Sequence, residues 1–185
     1  MRLRALQLFF FANFFFLWAV SLLADLSLGR IYALDFVDVD GNTLSTSGGH
    51  VSVVVLTTLA NLEKAQTVGD RVPDYCLGDP TYRMITVVKF KKHAAPVRMV
   101  LTAMARRRLD AEAKRLQSRY VARKIARDAR RDIFAVVDFE GEATSQLGAL
   151  PEPSNFHVFV FTRNGELLQQ WNDVPSAEEL AAVVK

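Results

Sequence analysis

Thiol chemistry has little to work with in this chain: of 185 residues only one, Cys76, is a cysteine. One thiol closes no internal disulfide, runs no two-cysteine redox cycle unaided and supplies no multi-cysteine zinc site. Histidine is nearly as scarce. His50, His93 and His157 share no metal-ligand spacing, and no nucleophile-elbow pattern accompanies them. The nine glycines form no phosphate-cradling loop. There is no internal repeat and no low-complexity tract. These absences imply no metal and no cofactor.

What is present falls into three parts. Residues 5–24 carry no charge and include Phe9 to Phe11, Phe14 to Phe16 and Trp18. As a helix this stretch is about 30 Å long, the thickness of a bilayer's hydrocarbon core. Residues 1–24 therefore read as a signal anchor or, with Ala19-Val20-Ser21 as a cleavage site, a signal peptide. Arg2 and Arg4 precede the apolar run and no basic cluster follows it, which keeps the N-terminus inside and exports the rest. The expected location is the periplasmic or extracellular side, membrane-anchored or secreted. Residues 25–33 read as a tether. Residues 34–185 are long enough for one domain with a real core.

Charge is unevenly spread in that domain. Between Arg106 and Arg131 there are eleven Lys/Arg against three Asp/Glu, while the whole chain is only +3. The basic character belongs to one segment.

Patterning gives the element order. Phe36 to Leu44 reads as two short strands around Asp40-Gly41-Asn42. Val51 to Leu56 is a valine-rich run with the look of a strand buried on both faces. A helix is expected from Leu59 to about Gly69, a broken loop over 72–80, and a strand from Met84 to Phe90. The spacing of Leu109, Ala113, Leu116 and Tyr120 predicts a long helix over about 96–131, with Arg115, Arg119, Arg123 and Arg127 in a row beside that stripe. A strand from Ile133 to Phe139, a short helix over 142–147, a rigid loop at Pro151 to Pro153 and a strand from Phe156 to Phe161 follow. Then come a turn at Thr162 to Gly165, a return strand and a last helix opened by the capping box Ser176-Ala-Glu-Glu179.

This order resembles the thioredoxin-like superfamily, in particular its redoxin branch with an N-terminal hairpin. Phe36 to Leu56 resembles the redoxin opening. Ala135-Val-Val-Asp138-Phe-Glu-Gly141 resembles the third core strand and its turn. Val158 to Leu168 resembles the closing hairpin. The resemblance implies an α/β fold with a central mixed sheet flanked by helices. It also implies a cysteine just after the first core strand, where a helix N-terminus stabilises a thiolate. Here that place is Thr57-Thr-Leu-Ala-Asn61, with no cysteine. A cis-proline is implied just before the fourth core strand; Pro153 is nearest but early, and Phe156 stands closer to the expected position.

The sequence therefore reads as a redoxin-like domain without thiol catalysis, acting as a binding or accessory module. The old substrate groove would comprise Thr57, Thr58, Asn61, Ser154, Asn155 and His157, reused for a protein partner; Thr58 or Asn61 would equally serve as plain helix caps. The alternative is a single-cysteine thiol peroxidase or reductase using Cys76. Against it, Cys76 follows the first helix instead of opening it, and a free cysteine is usually a small buried hydrophobe. Arg115, Arg119, Arg123 and Arg127 read as a solvated face or as a basic surface. An exported domain meets anionic lipid or an acidic protein and not nucleic acid, and only Tyr120 interleaves the arginines as an aromatic.

Overall fold

The computed structural model describes residues 26–148 and 156–184. Strands β1 (Asp35–Val37) and β2 (Thr43–Ser45) form a small antiparallel hairpin. The turn between them is built by Asp38, whose Oδ1 accepts from the Asp40 and Asn42 backbone N–H groups at 2.9 and 2.8 Å. Next come β3 (Val51–Thr58), α1 (Leu62–Arg71), β4 (Tyr82–Lys89), α2 (Ala95–Ala122), β5 (Ile133–Asp138), α3 (Glu142–Gln146), β6 (His157–Phe161), β7 (Leu167–Trp171) and α4 (Ala177–Val183). The main sheet has five strands in the order β5-β4-β3-β6-β7. Strands β3, β4 and β5 run parallel, and β6 and β7 are antiparallel to their neighbours.

The valine run of β3 lies in the middle of this sheet, and both of its faces are buried. Val53 and Val55 meet Ala65 and Val68 of α1 and Leu180 of α4. Val54 and Leu56 meet Phe36, Leu44 and Leu147 from the hairpin and the end of α3. The layers are thus α1, α2 and α4 on one face, with the hairpin and α3 on the other. Asp138 locks the β5–α3 turn: its carboxylate accepts from Gly141 N, Thr144 N and Thr144 Oγ1 at 2.8, 2.7 and 2.6 Å. The capping box of α4 forms as the sequence indicates.

Strand β4 departs from the usual pattern. A strand between two parallel neighbours is normally covered on both faces. Arg83, Ile85 and Val87 are buried, but Tyr82, Met84 and Thr86, on the side of α1 and α2, are only half-buried. The two helices stand apart above them.

Two expectations need correction. The stretch read as a tether is docked. Gly29 N donates to Leu167 O and Leu167 N to Arg30 O, and Tyr32 N donates to Gly165 O, at 2.8, 2.9 and 2.8 Å. Leu26 is buried, so polar spacing around it hid an edge contact. The long helix stops at Ala122, nine residues short of Arg131. Its end is a Schellman-type closure, with Ile125 N reaching back to Tyr120 O at 2.9 Å and Lys124 in the left-handed region at φ 57°. A separate 3-10 turn, Ala129–Arg131, is capped by Asp128. Among the described residues no helix is long and apolar enough to cross a membrane. The expected anchor at 1–24, and Pro151 to Asn155, lie outside the described residues.

Candidate functional site

The carboxyl ends of parallel strands are where open α/β sheets hold their ligands. Here β3 ends at Thr58, and a 3-10 turn, Leu59–Asn61, leads into α1. Thr57 is fully buried, its hydroxyl donating to Thr58 O at 3.2 Å. Thr58 and Asn61 occupy the N-cap positions of the turn and of α1, yet neither side chain makes a capping hydrogen bond. His157 pairs in register with Leu56 on the neighbouring strand. It too is interior, with Nδ1 3.0 Å from Asn172 Oδ1 and its ring stacked near Phe159. Of the six residues expected to line a groove, Thr58 and Asn61 are the partly exposed ones. Thr57 and His157 belong to the core, and Ser154 and Asn155 lie outside the described residues.

Cys76 is in a different place. It closes a 3-10 turn, Asp74–Cys76, beyond the far end of α1, and is 5% exposed among Val68, Leu180 and Val184. Burial, with Asp79 adding to it, pushes the thiol up to about 12. At neutral pH almost none is thiolate, the nucleophilic form. Native protein at pH 7.5 is therefore expected to leave Cys76 unmodified by iodoacetamide over hours, with full alkylation in denaturant. The same shift has a stability consequence. The folded-state pKa lies above the ordinary 9.0, so this contribution is complete below pH 9. It is lost as pH rises towards 12, at about 1.4 kcal/mol per pH unit. Relative to Cys76→Ala, the natural protein should lose roughly 1–2 kcal/mol between pH 8 and pH 10 in urea titrations.

The arginine row is largely committed to internal contacts. Arg115 pairs with Asp70 at 2.7 Å and with Glu112 at 3.3 Å. Arg119 donates to Gly69 O and reaches Asp74, which Arg123 also holds. Arg127, beyond the end of α2, is paired with Asp132 at 2.8 Å. Arg115, Arg119 and Arg123 thus strap the second half of α2 to the C-terminal end of α1 and the turn after it, where a helix dipole favours cations.

No such bridge joins the first turn of α1 to the first half of α2 among the described residues. Between them lies an apolar groove with a volume of about 430 Å³. Its floor is the face of β4 that carries the half-buried Met84 and Thr86 and the buried Val88. Its walls at the carboxyl end are Leu59, Leu62, Leu101 and Met104. Leu59 is 57% exposed and Met104 60%. Among the described residues no cluster of His, Cys, Asp and Glu is placed to hold a metal ion.

No family model and no curated protein sequence matches the chain. Solved structures do. A solution structure from Bacteroides thetaiotaomicron, of a protein with a provisional disulfide-isomerase name, superposes with a TM-score of 0.52 at 12% identity, over 85% of this chain and 86% of that one. A secreted thiol-disulfide isomerase from Corynebacterium glutamicum gives 0.50 at 8% identity, over 84% and 83%. The fold is thioredoxin-like.

Within that thioredoxin-like frame, the strand-to-helix junction after β3 is the place the sequence resemblance marked, and its residues are Thr57, Thr58, Leu59, Ala60 and Asn61. The groove beside it was missed by the sequence reading. A signal for it existed: Val97, Val100, Leu101 and Met104 form an apolar stripe at helical spacing. Of that stripe Leu101 and Met104 reach the groove, where Leu109, Leu116 and Tyr120 of the other stripe join them, although Met104 and Leu109 are roughly 140° apart around the axis. One helix with two apolar faces has a second surface to cover.

Proposed function

We propose that this domain is an exported, membrane-tethered thioredoxin-like module that binds a partner and exchanges no thiols. The observation that carries the reading is the junction after β3, which offers threonine, leucine, alanine and asparagine where thiolate chemistry needs a cysteine at a helix N-terminus. The one thiol is buried elsewhere. Export and tethering rest on the uncharged residues 5–24 behind Arg2 and Arg4. A protein partner is the occupant this reading assigns to the surface around Thr58, Asn61 and the exposed Leu59.

The test is catalytic. Purified protein is assayed for reduction of insulin disulfides with dithiothreitol and for consumption of hydrogen peroxide, beside Cys76→Ser. The expected result is background turnover in both proteins. Turnover above background that Cys76→Ser abolishes would overturn the reading in favour of a single-cysteine peroxidase or reductase.

A further inference from the structure

The groove between α1 and α2 is lined mainly by apolar side chains. We propose that it is a binding site for the hydrocarbon chain of a free long-chain carboxylate. This goes beyond the partner-binding reading and does not depend on it.

Four observations select this occupant. The first is shape. The groove follows β4, eight residues long, which at about 3.3 Å per residue gives roughly 26 Å. Its lining runs from Phe90 and Leu101 at the carboxyl end to Cys76, Leu180 and Val184 at the other. The second is volume. At about 430 Å³ the groove is in the size range of single small-ligand sites, about 300–1,000 Å³. The third is the roof. Arg115 to Asp70 and Arg119 to Gly69 O close the groove over its inner half, while the carboxyl end stays open between Leu59 and Met104. Of the carboxylates on the lining, Asp70 and Glu112 are both held by Arg115, and Asp132 by Arg127. The fourth is charge. Arg108 lines the groove and has no acidic partner among the described residues. A free carboxylate at the open end would give that guanidinium a bidentate acceptor.

The half-buried Met84 and Thr86 follow from this arrangement. A face of a parallel sheet left uncovered by its helices is completed by the chain. Apolar burial supplies the affinity, at about 25 cal/mol per Å², and Arg108 distinguishes an acid from an alcohol.

The experiment uses the full chain expressed in cells. Cells expressing it are fed a diazirine-bearing, alkyne-tagged palmitate, irradiated, and the labelled residues are mapped by mass spectrometry. The expected result is labelling of Leu59, Leu62, Leu101 or Met104, suppressed by excess palmitate. Met104→Trp, at an exposed position that tolerates bulk, should reduce labelling at least about fivefold by filling the mouth. In Arg108→Glu, palmitate should compete about tenfold less well, the loss of one charge-assisted contact, with competition by hexadecanol unchanged. Three results would overturn the proposal: no competed label, label confined to Met99 on the opposite flank of α2, or equal competition by palmitate and hexadecanol in the natural protein. Labelling in the groove accompanied by thiol turnover in the catalytic assay would sink the functional reading and leave this one standing.

Discussion

Replacing Tyr120 by alanine is expected to lower the unfolding free energy by roughly 5 kcal/mol, enough to leave much of the protein unfolded. The ring is 1% exposed and packs with Leu77, Leu116, Ile125 and Ala129. Removing it forfeits the transfer energy of a large side chain and leaves a cavity, together about 3–5 kcal/mol. The hydroxyl adds to this. It donates to Asp132 Oδ2 at 2.7 Å and accepts from Gly78 N at 2.9 Å, and Arg127 holds the other side of the same carboxylate. Burial, with Asp132 beside it, raises the phenol's pKa well above its ordinary value, so it remains a donor at any working pH. Tyr120→Phe separates the two contributions, because it keeps the ring, strands the half-buried Gly78 N–H and leaves Asp132 Oδ2 with Arg127 alone. Its expected cost is about 2–3 kcal/mol. Urea titrations of both variants give the comparison. A Tyr120→Ala protein within 2 kcal/mol of the natural one would mean that the end of α2 repacks freely.

Gly165→Ala should be the next most damaging single change away from the core, at about 3 kcal/mol. Gly165 lies at φ 87° in the β6–β7 turn, where an L side chain costs roughly 1–2 kcal/mol. An added Cβ would also press on the carbonyl oxygen of Tyr32 and sit 3.2 Å from Ser47 Cβ. The backbone would have to retreat, weakening the Tyr32 N to Gly165 O bond, worth about 1 kcal/mol. Gly141→Ala is the control. That residue has nearly the same φ, 80°, but open space around it, so only the backbone term applies. Hydrogen exchange at Gly29 and Tyr32 should accelerate in Gly165→Ala and not in Gly141→Ala. Equal losses in the two variants would dismiss the contact with Tyr32 as a cause.

What the sequence made legible was whatever local patterning controls. The valine run of β3 announced a strand buried on both faces, and Ser176 with Glu179 announced the start of α4. The missing cysteine needed only the position of the first core strand. Long-range pairing was harder to read. Residues 26–32 look like a linker because their apolar members, Leu26, Leu28 and Ile31, follow no period. They dock through backbone hydrogen bonds to β7, which are blind to side-chain type. The end of α2 was invisible for a related reason. Its left-handed closing residue is Lys124, where a glycine would have marked the stop. The arginine row was seen as a row, but the acids that neutralise it, Asp70, Asp74 and Asp132, come from three separate segments.

The docked segment 26–32 bears on how another polypeptide can attach. Strand addition needs a free sheet edge with unpaired N–H and C=O groups. On β7 the first residue, Leu167, is already occupied by Gly29 and Arg30, and Tyr32 holds Gly165 in the turn before it. On β5, Val39 N takes the Ala135 carbonyl at 2.9 Å and Arg130 takes that of Ile133. At those positions an incoming strand would have to displace native bonds. The same contacts shorten the stretch of edge open to edge-to-edge polymerisation, and leave the exposed first half of α2 as the larger apolar surface for contact.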